Sequence, residues 1–144
     1  MDAYDKGVSL LSVREHTEKE LREKLLRSFS AEETDKAVAL LKGQGYLSDS
    51  RYAEAFLRSR MRRVPEGRPL LLLRLREKGV DAETASKAVE RFWEEELYAE
   101  PLCEAYRSLS LKKGPEKARA CLLRKGFSES EVRSASSKVD DEAL

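Results

Sequence analysis

Gly67-Arg68-Pro69-Leu70-Leu71-Leu72-Leu73-Arg74-Leu75-Arg76-Glu77-Lys78-Gly79-Val80 is the stretch on which the fold turns, because it recurs. Laid over Gly114–Phe127, it opens on the same residue type. It sets Leu71 and Leu75 against Ala118 and Leu122, and it closes Lys78-Gly79-Val80 against Lys125-Gly126-Phe127. Thr17–Phe29 fits the same template with one residue deleted: Leu21 and Leu25 take the apolar positions and Phe29 the last one. An apolar spacing of four predicts a short amphipathic helix in each copy. The Lys-Gly-apolar string predicts how two of them stop, with glycine in the left-handed conformation and the next residue folded back onto the helix.

Outward from the template, the neighbours repeat as well. Ser30-Ala31-Glu32 with Lys36-Ala37-Val38 follows the first copy, and Asp81-Ala82-Glu83 with Lys87-Ala88-Val89 follows the second. A Tyr-x-x-x-apolar helix precedes each copy: Tyr4/Val8, Tyr52/Phe56 and Tyr98/Leu102, the strings Tyr52-Ala53-Glu54 and Tyr98-Ala99-Glu100 being identical. Capping boxes are expected at Thr17 with Glu20, Ser30 with Glu33 and Ser128 with Glu131. Helices are expected from Ser48 or Asp49 to Arg63, and over Asp81–Glu96, Leu97–Leu109 and Glu116–Lys125, with breaks at Pro65-Glu66-Gly67 and Lys112-Lys113-Gly114-Pro115. No alternating β-branched run or tight hairpin dipeptide competes with this reading.

The expectation is an all-α chain of three tandem three-helix (helix-turn-helix-like) repeats over residues 1–44, 45–94 and 95–139, with a frayed tail over 140–144. The physical reason for repetition is burial. A helix of about 11 residues is marginal alone in water, whereas three can bury their stripes against one another.

Charge supports an extended surface. Charged residues make up 38% of the chain, against about 25% in an ordinary domain. The net charge of +1 argues against a simple polycation, yet the charges are sorted into blocks. Residues 51–80 carry nine basic and three acidic side chains, residues 81–104 two and eight, and residues 105–126 seven and one. The first basic block is nearly all arginine: Arg51, Arg58, Arg60, Arg62, Arg63, Arg68, Arg74, Arg76 and Lys78. The second holds Arg107, Lys112, Lys113, Lys117, Arg119, Arg124 and Lys125. Arginine makes planar, bidentate contacts to phosphate or carboxylate, whereas lysine acts as a point charge. Arg58 and Arg62 fall one turn apart on one helix face. Both blocks are therefore candidate partner- or DNA-binding residues. The acidic run Glu94-Glu95-Glu96 is suited to holding a basic face or to meeting a protein.

Enzyme chemistry finds little support. His16 is the single histidine and sits beside a helix N-cap with no cysteine or carboxylate cluster at metal-ligand spacing. Gly43-Gln44-Gly45 reads as a helix stop, because no Lys-Ser/Thr follows it. Cys103 and Cys121 have no redox spacing and are expected to be reduced thiols in a cytoplasmic protein. No leader-like N-terminus is apparent, and no apolar run approaches the ~18 residues of a membrane span. No enzyme activity, cofactor or metal is expected.

The repeat, the glycine stops and the arginine helix together resemble the RecX family of recombination regulators. Arg14-Glu15-His16-Thr17-Glu18-Lys19-Glu20-Leu21-Arg22-Glu23-Lys24-Leu25 is similar to the family's Arg-x-x-Ser-x-x-Glu-Leu-x-x-x-Leu opening. Gly45-Tyr46-Leu47-Ser48-Asp49-Ser50-Arg51-Tyr52-Ala53-Glu54-Ala55-Phe56 is similar to its Gly-Tyr-Leu-x-Asp-x-Arg-Phe-Ala segment, the most specific piece. Gly67–Val80 resembles its Gly-Pro-x-x-Ile-x-x-Glu-Leu-x-x-Lys-Gly-Ile, and Leu123–Phe127 the Arg-Arg-Gly-Phe of a third repeat. Proline stands at 69 rather than directly after Gly67, and Arg74 stands where the family often has glutamate. The resemblance implies a curved, elongated monomer that lies along the groove of the RecA recombinase filament on single-stranded DNA. It implies inhibition of filament extension, strand exchange and ATPase activity, weak direct DNA binding and no membrane association. The concave face is then expected to carry the arginines. Two other readings fit the helical pattern: a helix-turn-helix DNA-binding module, although its third helices are not basic, and a helical-repeat adaptor for another protein.

Overall fold

The computed structural model describes residues 1–143. Among these, nine α-helices account for the regular structure: α1 Ala3–Val13, α2 Glu18–Leu26, α3 Ala31–Gly43, α4 Asp49–Arg63, α5 Arg68–Glu77, α6 Ala82–Glu94, α7 Ala99–Lys113, α8 Pro115–Arg124 and α9 Glu129–Glu142. They group into two compact units. The first takes Met1–Ala55 with Arg74–Ala88; the second takes Phe56–Leu73 with the chain from Val89 onward. Helices α4, α5 and α6 thus contribute residues to both.

In the first unit, α1, α2 and α3 close around Ala3, Leu21, Leu25, Ala37, Val38, Leu41 and Leu47, with Phe29, Leu10 and Leu11 packed against them. Gly7 lets α1 come close to α3: a Cβ there would lie 2.5 Å from Leu41 Cδ1. In the second unit, α7, α8 and α9 pack together, burying Leu102, Tyr106, Ala118, Leu122, Val132 and Ala135. The two apolar positions spaced by four in each copy of the template are fully buried: Leu21, Leu25, Leu71, Leu75, Ala118 and Leu122 are all 0% exposed. Each large side chain among them gains about 1.5–3 kcal/mol from leaving water, which is what makes such short helices stable here.

The helix ends follow the local chemistry. Gly79 and Gly126 take φ of 97° and 92°. Behind them the Val80 and Phe127 amides reach back to the Leu75 and Leu122 carbonyls at 3.0 and 3.3 Å, and both apolar side chains are buried. Ser30 with Glu33 and Ser128 with Glu131 form complete capping boxes. Thr17 makes only half of one. Its hydroxyl accepts from the Glu20 amide at 3.0 Å, but the Glu20 carboxylate turns to Arg14 instead, at 2.6 Å.

Some local expectations change. Lys112 and Lys113 are the last turn of α7 rather than a break; the interruption is Gly114 alone, and Pro115 starts α8 where its missing N–H is not needed. The tail does not fray at Asp140. Helix α9 runs to Glu142 because Asp140 accepts from the Tyr106 hydroxyl at 3.2 Å and Glu142 pairs with Arg107 at 3.0 Å. Leu144 lies outside the described residues.

Candidate partner-binding surface

The fold sorts the basic residues into structural and unengaged sets. Arg51 is structural: its Nε meets Glu15 at 2.6 Å and its terminal nitrogens donate to the Gly45 and Tyr46 carbonyls at 2.9 Å each. It thereby fastens the α3–α4 turn within the first unit. Arg60 donates to Glu66 at 2.9 Å, and Glu66 is 4% exposed. Arg68 lies 5.5 Å over the Trp93 ring and 3.7 Å from Glu131. Arg107 pairs with Glu104 and Glu142. Arg119 is 3.5 Å from the Tyr106 hydroxyl. Arg74 is half-buried and also engaged within the fold.

The remaining residues have no hydrogen bond or ion pair from their side chains to the described chain. On α4 these are Arg58, Arg62 and Arg63, all exposed. Their placement follows from helix geometry. Ala53, Leu57 and Met61, spaced by four, are 0–1% exposed and form the buried stripe of α4, so Arg58 and Arg62 stand about 100° round from it. In the first unit Arg76 and Lys78 are also exposed, at the end of α5. In the second unit Lys112 and Lys113 end α7, Lys117 and Arg124 lie exposed on α8, and Lys125 is half-buried. The run from Arg51 to Lys78, continuous in sequence, is thus divided. Arg51, Arg74, Arg76 and Lys78 belong to the first unit, and Arg58, Arg60, Arg62, Arg63 and Arg68 to the second.

Three carboxylates matter here that sequence reasoning did not single out as anchors. Glu15 and Glu66 fasten Arg51 and Arg60, and neither has a sequence signal; Glu66, between Pro65 and Gly67, reads as loop. Glu131 was legible as a cap, but it also accepts from the Trp93 indole N–H and lies beside Arg68. Trp93 in turn stacks on Tyr98 with ring centroids 4.6 Å apart and planes 6° apart.

Among the described residues no group of His, Cys, Asp and Glu is placed to hold a metal ion, and no helix is long and apolar enough to cross a membrane. Both cysteines are free thiols, and burial pushes Cys103 up from its ordinary pKa, away from the thiolate form that reacts.

Residues 3–41 match the family model of the RecX first three-helix domain, and residues 48–89 that of the RecX second three-helix domain. The chain is 31% identical over 137 residues to the regulatory protein RecX of Prosthecochloris aestuarii, covering 91% of this chain and 89% of the relative. It is 32% identical to that of Pelodictyon phaeoclathratiforme, covering 90% and 83%. Its fold is that of the crystal structure of RecX from Lactobacillus salivarius, with a TM-score of 0.77, 23% identity, and coverage of 96% of this chain and 94% of that one.

Proposed function

This chain belongs to the RecX family, and on that premise we propose that it is a regulatory protein that binds the RecA recombinase filament on single-stranded DNA. Bound there, it restrains filament extension, strand exchange and ATPase activity, and so modulates recombination and DNA repair. One observation carries the assignment of the contact surface: Arg58 and Arg62 stand exposed one turn apart on α4, with Arg63 beside them, and among the described residues no carboxylate is bound to any of the three. The neighbouring arginines that the fold needs, Arg51 and Arg60, are already committed to Glu15 and Glu66. A guanidinium left unengaged in a chain with abundant carboxylates is available for phosphate or for an acidic protein surface. Lys112, Lys113, Lys117 and Arg124 supply a second, lysine-rich contact, and Arg76 and Lys78 a third.

The test is RecA ATPase on single-stranded DNA with this protein titrated in. The wild-type chain is expected to lower turnover. Arg58→Glu combined with Arg62→Glu is expected to abolish that effect with helix content unchanged; retained inhibition by the folded double variant would falsify the site. Where DNA phosphate is part of the contact, binding weakens with salt. Neutralising ~4 phosphates on a single strand gives a slope of roughly −3 in log affinity against log salt. A sequence-selective shift on duplex DNA, with no effect on the filament, would instead favour a helix-turn-helix DNA-binding module.

A further inference from the structure

His16 is the chain's single histidine and is 1% exposed. It lies in the short linker between α1 and α2, where three successive residues each hold something different. Arg14 forks onto Glu20 of α2, at 3.1 and 2.6 Å. Glu15 takes Arg51 of α4 at 2.6 Å. His16 faces Lys24 of α2, with Nε2 2.9 Å from Nζ, while its Nδ1 lies 3.0 Å from the Arg14 carbonyl oxygen.

These two contacts determine the tautomer. A carbonyl oxygen can only accept and an ammonium can only donate. The ring proton therefore sits on Nδ1 and points at Arg14 O, and the Nε2 lone pair accepts from Lys24. A second proton can go only to Nε2, where it would set an N–H against an ammonium less than 3 Å away. We propose that His16 is a proton-operated latch at the α1–α2 corner. Neutral, it closes the corner by accepting from Lys24. Protonated, it drives Lys24 off the ring and releases that tie, leaving the Arg14–Glu20 and Glu15–Arg51 pairs in place. Lys24 has a way out, since its side chain is 28% exposed.

The charged groups acting on the ring are Arg14 of the linker and Glu20 and Lys24 of α2. Behind Glu20 stands Tyr52 of α4, whose hydroxyl is influenced by Glu20, Arg14 and Asp49. Glu20 is the anion that would stabilise an imidazolium, but both of its oxygens are bound by Arg14. Burial already holds the imidazole below its ordinary value of 6.5, and the Arg14 and Lys24 cations act in the same direction, opposed by the Arg14 carbonyl and Glu20. The latch therefore opens in acid, below the usual imidazole range, and is closed at neutral pH.

A single histidine makes the experiment unambiguous. Imidazole nitrogen and carbon NMR of the full chain is expected to show the proton on Nδ1 at neutral pH. The His16 midpoint should fall below that of histidine in a peptide, and the Lys24 ε-methylene signal should move with the same midpoint. Lys24→Met, which keeps the aliphatic stem and removes the charge, should raise the His16 midpoint. Lys24→Gln, which keeps a donor without the charge, should raise it too and so isolate the ion–ion repulsion. A proton on Nε2 at neutral pH overturns the latch. So does a Lys24 signal that ignores the titration, or a midpoint that neither substitution raises.

Discussion

Glu96 shows how one residue can carry backbone strain that its counterpart avoids. It lies in the turn just past α6 at φ 55°, with its amide on the Trp93 carbonyl and that of Leu97 on the Phe92 carbonyl at 3.0 and 3.1 Å. Gly45 holds the corresponding place after α3, with the Tyr46 amide on the Leu41 carbonyl at 2.9 Å. The left-handed conformation costs a side-chain-bearing residue roughly 1–2 kcal/mol that glycine does not incur. Glu96→Gly is expected to stabilise the fold by about 1 kcal/mol, after allowing for glycine's extra unfolded-state entropy, read as a higher urea midpoint at unchanged slope. The buried His16 predicts a second residue-level effect. Its folded-state pKa lies below 6.5, so the unfolded chain binds the proton first. Stability should decline as pH falls through about 6.5 and level off below the folded-state pKa. Glu20, whose carboxyl is held low chiefly by its hydrogen bond to Arg14, adds a further decline as pH falls below about 4.5. Urea midpoints from pH 8 down to about pH 3 would show both; a flat profile between pH 7 and pH 5 would contradict the His16 assignment.

At the scale of the helices, much depends on how one element's start meets another's stop. The Gly67 amide, just ahead of α5, donates to the Lys125 carbonyl at 2.9 Å. A Cβ on Gly67 would lie 2.0 Å from the Gly126 carbonyl oxygen. Backbone meets backbone there, so no rotamer change can relieve the clash. Gly67→Ala is expected to cost more than about 2 kcal/mol by forcing the α5 start away from the α8–α9 turn. Thermal unfolding followed by circular dichroism would register it, and a fall in Tm of only a degree or two would count against this packing. Glu131 combines three tasks: it caps α9, receives the Trp93 indole and balances Arg68. Glu131→Ala should lose the carboxylate half of the α9 capping box while the Ser128 cap itself stays, and leave a buried indole N–H unpaired, at a cost of about 1–3 kcal/mol. Trp93 is the only tryptophan, so its fluorescence would report the change directly.

For the molecule as a whole, the basic side chains divide between those engaged within the fold and those left exposed among the described residues. Arg58→Glu with Arg62→Glu removes no side-chain hydrogen bond or ion pair among the described residues and is expected to move stability by no more than about 0.5 kcal/mol. Arg60→Ala takes a partner from the nearly buried Glu66. The loss should be about 2 kcal/mol, at or just below the range for breaking buried pairs, because Arg60 itself is 26% exposed. On the proposed function, stability and RecA inhibition are expected to separate across the arginines of α4, the first responding to Arg60 and the second to Arg58 and Arg62. Urea unfolding and ATPase assays on the same variants would test this, and equal stability losses at Arg58 and Arg60 would contradict it.

The helices were legible in the chain because their signals are local. A Ser-x-x-Glu cap, a Lys-Gly-apolar stop and an apolar spacing of four act within one or two turns, and Leu21, Leu71 and Leu122 reached the core as that spacing requires. Which arginines remain available was not legible. Arg51, Arg58 and Arg60 share one helix and one residue type, and what separates them is Glu15, 36 positions before Arg51, and Glu66, six after Arg60 but beyond the end of its helix. A carboxylate brought close by folding leaves no periodic trace in sequence. The side chain's reach, burial and partner, which decide whether a charge is structural or free, exist only once the chain has packed.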